Sequence, residues 1–334
     1  MKAAPFAYVR PGTVQGVLAE LSTAEGLAAG DPGGAGAKIV AGGQSLVPVL
    51  AMRLGRPGTL VDINAVAGLD TITVSGGTVS GGTDPGGTVR IGATVRQRTA
   101  QAHAATAAVP LLRMALPWVG HREIRSRGTV CGSLAHADPA AELPAVACCL
   151  GATMTIVSPR GRRDVPAREF FTAAMTTVLA PDELLESVAF PVAVAGEGTG
   201  FAEVARRHGD FALAGVAVRV RDAGSLRPAA WAACFGIADR PVPCDVSAWA
   251  REVLSRGDAP EDVLRARFAE AAGDFAAEVV TTAGDVHGST GYRRRLLAGL
   301  IAAELARASV RSLVGDESRA RAGSESRPRA GGTP

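Results

Sequence analysis

Two adjacent glycines, Gly42 and Gly43, constrain this chain more than any other feature. They stand where the run Lys38-Ile39-Val40-Ala41 stops, and Gln44-Ser45-Leu46 leads from them into an apolar, helix-competent segment reaching residue 54. The pattern reads as a buried strand that breaks straight into a helix. Glycine tolerates positive φ and has no Cβ, so backbone N–H groups in such a turn can point into a concavity that an oxyanion fills. A helix starting near Leu46 adds the partial positive charge of its N-terminus on the same side. The same junction also serves as an ordinary tight turn, and taken alone it leaves both readings open.

A second junction favours the anion. Gly128-Thr129-Val130-Cys131-Gly132-Ser133 combines a hydroxyl, a run of amides and small residues. It precedes a helix expected over 139–150, which Asp138 can cap, Pro139 can begin and Gly151 can stop. Two such turns point to a diphosphate held from both sides. The glycine-rich loop at 30–36 precedes its strand instead of following one, which excludes a Rossmann fingerprint, and no Walker lysine follows any glycine loop.

At these residues the sequence resembles a known family. Lys-Ile-Val-Ala-Gly-Gly-Gln-Ser-Leu at 38–46, Arg-Gly-Thr-Val-Cys-Gly-Ser-Leu-Ala-His-Ala-Asp-Pro-Ala-Ala-Glu-Leu-Pro at 127–144 and Ala-Arg-Arg-His-Gly-Asp-Phe-Ala-Leu-Ala-Gly at 205–215 are similar to the FAD-binding medium subunit of molybdenum hydroxylases. These are relatives of carbon monoxide dehydrogenase and xanthine dehydrogenase, and the likeness spans about residues 1–310 in the expected order. It implies an α+β fold: a two-subdomain FAD-binding fold of the PCMH/vanillyl-alcohol-oxidase type (1–178, divided near 58/59), then a smaller α+β domain (179–310) with an antiparallel sheet covered by helices.

The resemblance also implies which residues meet FAD. Ala41, Gly42, Gly43, Gln44, Ser45 and Leu46 form one contact segment, and Thr129, Val130, Cys131, Gly132 and Ser133 the other. Cys131 stands where many relatives carry a second glycine. Lys38 matches a position near the adenine, Glu142 an acidic position near the ribityl or phosphate region, and Val119 and Leu185 apolar positions near the cofactor's rings. Each has a plain alternative: a strand-end lysine on solvent, a solvated first-turn carboxylate, and two core residues. Arg206-Arg207-His208-Gly209-Asp210 is a family hallmark, readable as an ion-paired turn that shapes the flavin's surroundings or a subunit interface. No general base or nucleophile has a partner at suggestive spacing, so no catalytic residue and no metal ligand is assigned to this chain.

That absence fits a chain whose redox chemistry belongs to its cofactor. The implied assembly places the molybdenum cofactor on a large subunit and iron–sulfur clusters on a small one, as a dimer of heterotrimers. This chain then passes electrons from the iron–sulfur partner to an external acceptor. The alternatives are a self-contained flavin oxidoreductase of the same fold and a non-catalytic assembly module.

Composition excludes several other classes. The chain has 334 residues, 47% apolar and 20% charged, enough for two packed domains. The net charge of +3 is interspersed, aromatics are few, and no basic run exceeds the three arginines at 293–295, so no nucleic-acid surface is expected. Five cysteines, without a C-x-x-C pair, argue against disulfides, zinc or a cluster on this chain. No signal-like N-terminus and no apolar run near the ~20 residues of a bilayer span is present, which predicts a soluble cytoplasmic protein.

Periodicity predicts a Thr13-capped helix, a strand at 60–64 pairing with 38–40, and a hairpin of 71–74 with 89–91 around a low-complexity tip. Thr94 and Gln97 have capping-box spacing, with Pro110 ending the helix they start. A hairpin is expected around 159–161. Strands at 184–190, 212–220 and 229–237 then form the second sheet, with helices over 246–280 and 292–308, and residues 311–334 disordered.

Overall fold

The computed structural model describes residues 2–30, 36–76, 86–257 and 259–325. The tip of the 71–91 hairpin, part of the 30–36 loop and residues 326–334 lie outside them. Among the described residues three larger sheets carry the fold, two in the first unit and one in the second, beside two short two-stranded ribbons at 171–177 and 284–289. Ala7–Val9, Thr59–Asp62 and Ala37–Val40 form a parallel sheet with Thr59–Asp62 in the middle. The pairing of 60–64 with 38–40 is therefore observed, and a division between residues 58 and 59 would cut this sheet. The helix Val14–Gly30 packs on it through Val17 and Leu21, and Thr13 Oγ1 accepts from the Gly16 amide at 3.1 Å, as expected of its cap.

The second sheet is antiparallel, in the order Ile72–Ser75, Thr88–Gly92, Leu184–Pro191, Thr153–Ser158, Gly161–Pro166. Both expected hairpins are in it. The strand expected to open the following domain is instead its centre: Val188 pairs with Ile91 on one side and Met154 on the other. Separating the chain at residue 178 would remove that central strand, so 184–190 belongs with the first unit.

A four-stranded antiparallel sheet follows, Glu197–Val204, Ala214–Arg221, Ala229–Phe235 and Val242–Asp245, covered by Ser247–Leu254, Glu261–Val279 and Thr290–Glu325. The last helix runs to Glu325, past the expected end at 308. Ser312 is fully buried and donates to the Gly196 carbonyl at 2.6 Å, which ties this stretch to the sheet despite its polar composition. Among the described residues no helix is long and apolar enough to cross a membrane.

Local starts also differ. Arg96, not Thr94, precedes the helix Gln97–Ala102, and Pro110 begins the next helix, Pro110–Ala115, where its missing N–H costs nothing. The segment read as a loop at 129–133 is itself the start of a helix, Val130–His136. Asp138 holds the turn between it and Glu142–Leu150 by accepting from the Ala140 amide at 2.8 Å. Gly151 ends that second helix in the left-handed region, as its position predicted.

Candidate functional site

The first turn forms as its glycines require. Gly43 has φ +74°, open to glycine without strain, and the chain enters the helix Leu46–Ala51 immediately after it. The Val47 amide returns to the Gly43 carbonyl at 2.9 Å, and Pro48 has no N–H. Ser45 and Leu46 are therefore left as the helix-start donors without an intrahelical acceptor. Gly42 is needed for a different reason. A Cβ there would lie 2.5 Å from the Arg127 carbonyl oxygen and 2.7 Å from Gly128 Cα. The two turns thus abut, backbone on backbone.

The second turn offers fewer free donors than its sequence promised. Thr129 caps Val130–His136, its Oγ1 accepting from the Gly132 amide at 3.0 Å. The Val130 amide goes to the Val95 carbonyl at 3.1 Å and that of Ser133 to the Thr129 carbonyl at 3.2 Å. These three amides are spent on the fold, which leaves those of Thr129 and Cys131 and the Ser133 hydroxyl without a hydrogen-bond partner among the described residues. The Cys131 side chain points into the core, its thiol against the Ile91 carbonyl and its pKa pushed up to about 12 by burial. A cysteine in a glycine position consequently does not fill the space between the turns.

Behind both turns lies a polar brace. Asn64 Nδ2 donates to the Ala41 carbonyl at 2.8 Å, and Arg96 donates to Asn64 Oδ1 and to the Arg127 carbonyl, each at 2.6 Å. Neither residue was singled out from the sequence. The one available signal was an asparagine at a strand end, where its short amide reaches neighbouring backbone.

Comparison with known proteins gives the family. The family model of the FAD binding domain in molybdopterin dehydrogenase matches residues 4–193. The 6-hydroxypseudooxynicotine dehydrogenase complex subunit alpha of Paenarthrobacter nicotinovorans is 35% identical over 95% of this chain and 99% of its own length. This chain belongs to the FAD-binding medium subunits of the molybdenum hydroxylases. The medium chain of carbon monoxide dehydrogenase from Afipia carboxidovorans is 29% identical over 92% of this chain and 98% of its own. Quinoline 2-oxidoreductase from Pseudomonas putida 86 has a chain of the same fold, at a TM-score of 0.78 and 32% identity, covering 94% of this chain and 100% of that one.

A medium subunit of this family is part of a molybdenum-containing oxidoreductase and takes FAD as its own cofactor. The residues present fit that group, because adjoining glycine turns and unspent helix-start amides are what a buried diphosphate requires. Glu142 is buried at the first position of Glu142–Leu150 and is no solvated carboxylate. Burial pushes its pKa up to about 7, its own amide opposes, Asp138 adds to the rise, and Arg125 opposes it. Glu203, which sequence reading did not single out, is raised to about 8 by burial and then by Glu142, and its Oε2 has no hydrogen-bond partner among the described residues.

Lys38 is exposed on the edge strand of the parallel sheet. Burial holds His136 below its ordinary pKa, with Asp138 opposing and Lys38 reinforcing, which places the lysine on the same side as the end of the second-turn helix. Val119 and Leu185 are both buried in the main core, where packing accounts for them.

The hallmark segment at 205–215 meets the first unit. The His208 ring stands edge-on to Trp118 at 5.5 Å, Trp118 touches Phe201, and the Gly209 backbone lies against His121. Arg125 Nη1 fixes this region by donating to the carbonyls of Pro117, Val119 and Gly120 at 3.1, 3.0 and 2.9 Å.

Proposed function

We propose that this chain is the FAD-carrying electron-transfer subunit of a heteromeric molybdenum hydroxylase, receiving electrons from an iron–sulfur partner and delivering them to an external acceptor. The observation that carries the proposal is the contact of the Gly42 turn with the Gly128 turn, which brings two sets of helix-start amides to one place. When bound, FAD supplies exchange of electrons singly or in pairs. The chain's residues then do three things. The amides of Ser45, Leu46, Thr129 and Cys131 hold the diphosphate, with Gln44 and the Ser133 hydroxyl beside them. Lys38 faces the adenine end. Glu142, largely protonated below pH 7, offers a neutral carboxyl near the ribityl chain.

The partners in this reading are a large molybdenum-cofactor subunit and a small iron–sulfur subunit, assembled as a dimer of heterotrimers in the cytoplasm. Medium chains of carbon monoxide dehydrogenase and of nicotine 6-hydroxylase among the relatives support it. The test is direct. The purified chain should take up one FAD, and the bound flavin should bleach when mixed anaerobically with its reduced iron–sulfur partner. Gly43→Val, which forces a side chain into positive φ, should abolish uptake. Full retention of FAD by that variant would remove the first turn from the site.

A further inference from the structure

One guanidinium holds both turns. Arg96 donates from Nη1 to the Arg127 carbonyl at 2.6 Å, on the approach to the second turn. From Nη2 it donates to Asn64 Oδ1, also at 2.6 Å. Asn64 passes the connection on, donating from Nδ2 to the Ala41 carbonyl at 2.8 Å in the first turn. The backbone on either side of Arg96 is bound to the second turn as well, since the Gln97 amide donates to the Gly128 carbonyl at 2.9 Å and the Val95 carbonyl accepts from Val130 at 3.1 Å.

The asparagine is oriented from behind. Asp62 Oδ1 accepts from the Asn64 backbone N–H at 2.8 Å and from Nδ2 at 2.6 Å, and its other oxygen receives the Tyr8 hydroxyl and lies 3.5 Å from Arg10 Nε. With its amide pinned this way, Asn64 presents one donor to Ala41 and one acceptor to Arg96. Arg96 reaches its two acceptors from two separate nitrogens of one rigid fork, whereas lysine donates from a single nitrogen and does not reproduce that span.

We propose that Arg96 and Asn64 are positioning residues for FAD: together they set the separation of the two turns, and with it the spacing of the amides that face the diphosphate. This rests on the assignment of those turns as the FAD site. Because the links run in series, breaking either one uncouples the first turn from the second. Removing the second link should then add little.

The test is FAD titration of the apo form of the full chain, for wild type, Asn64→Ala, Arg96→Lys and the double variant, with melting temperature followed in parallel. Hydrogen bonds to a charged group predict a loss of about 10- to 100-fold in FAD affinity for each single variant. The double variant should fall within about twofold of the weaker single, the non-additivity expected of one connected unit. A general structural role would lower melting temperature without this coupling in affinity. Single variants binding within twofold of wild type would overturn the brace, and so would a double variant whose loss is the product of the singles.

Should Arg96→Lys fail to fold, amide exchange in Asn64→Ala decides. Faster exchange at Val47, Gly132 and Ser133, whose amides are bonded within the turns, with Leu60 and Val61 unchanged supports the brace, and uniform acceleration overturns it. A wild-type chain that takes up no FAD overturns the cofactor assignment itself, and the brace with it. Wild-type binding beside equal binding by the variants overturns the brace alone.

Discussion

Gly42→Ala is the sharpest single perturbation of the proposed cradle. Its Cβ would meet the Arg127 carbonyl oxygen at 2.5 Å, Gly128 Cα at 2.7 Å and the Arg127 carbonyl carbon at 3.0 Å. Ordinary contact begins at 3.4 Å, so the turns must part by about 0.9 Å, the difference between 3.4 and 2.5 Å. All three neighbours are backbone atoms, so no rotamer change relieves the clash. Overpacking of this kind costs roughly 1–3 kcal/mol.

In the free chain the turns can separate and release much of that cost. FAD requires them together, so the cost reappears in binding, as about a 5- to 150-fold loss of affinity at 1.4 kcal/mol per factor of ten. FAD titration with parallel thermal melts reads both effects. Gly12→Ala, where nothing lies within 4 Å of the added Cβ, is the control and should match wild type. Gly42→Ala binding FAD within twofold of wild type would refute the claim that the cofactor needs the two turns in contact.

Other predictions follow from the same geometry. Cys131→Gly should lower stability by roughly 1–3 kcal/mol, through a lost core side chain and a glycine in a helix, yet leave FAD affinity near wild type. Trp118→Ala should cost roughly 3 kcal/mol in denaturant unfolding and loosen the 205–215 segment, read by amide exchange at His208. Glu142 and Glu203 have folded pKa values near 7 and 8, above the ordinary 4.5, so the folded apo chain binds more protons than the unfolded chain in between. Their contribution to stability is complete below about pH 4.5 and is lost as pH rises toward 8. Glu203→Gln should therefore melt higher than wild type at pH 8, with that advantage shrinking at pH 5; an advantage independent of pH would refute the assignment.

The sequence showed most clearly what is local. The strand, two glycines and helix at 37–51 are legible because the chemistry of the turn lies in the turn itself, and Gly151 stops its helix for the same reason. Strand partners were less legible. Alternation identifies 184–190 as a strand, but its pairing with Thr88–Gly92 joins residues about a hundred positions apart, and nothing local encodes that choice.

The helix Val130–His136 was hidden by its length, since seven residues with an internal glycine show no period. That miss mattered, because the helix and its cap consume the amides of Gly132 and Ser133, and the Val95 carbonyl takes that of Val130, three that had counted as free. The start of the tail shows the reverse: polar composition reads as disorder from 311, while Ser312 is buried against Gly196 because the preceding helix carries it there. The Arg96–Asn64 link crosses 32 residues, so only the fold reveals it.

The central claim is that amides from both turns grip the diphosphate of FAD, and a crystal structure of the FAD-loaded chain tests it most directly. The account predicts diphosphate oxygens within about 2.7–3.2 Å of the Ser45 or Leu46 amide on one side and of the Thr129 or Cys131 amide on the other. A diphosphate bound by other elements, or by one turn with the second facing away, would contradict it.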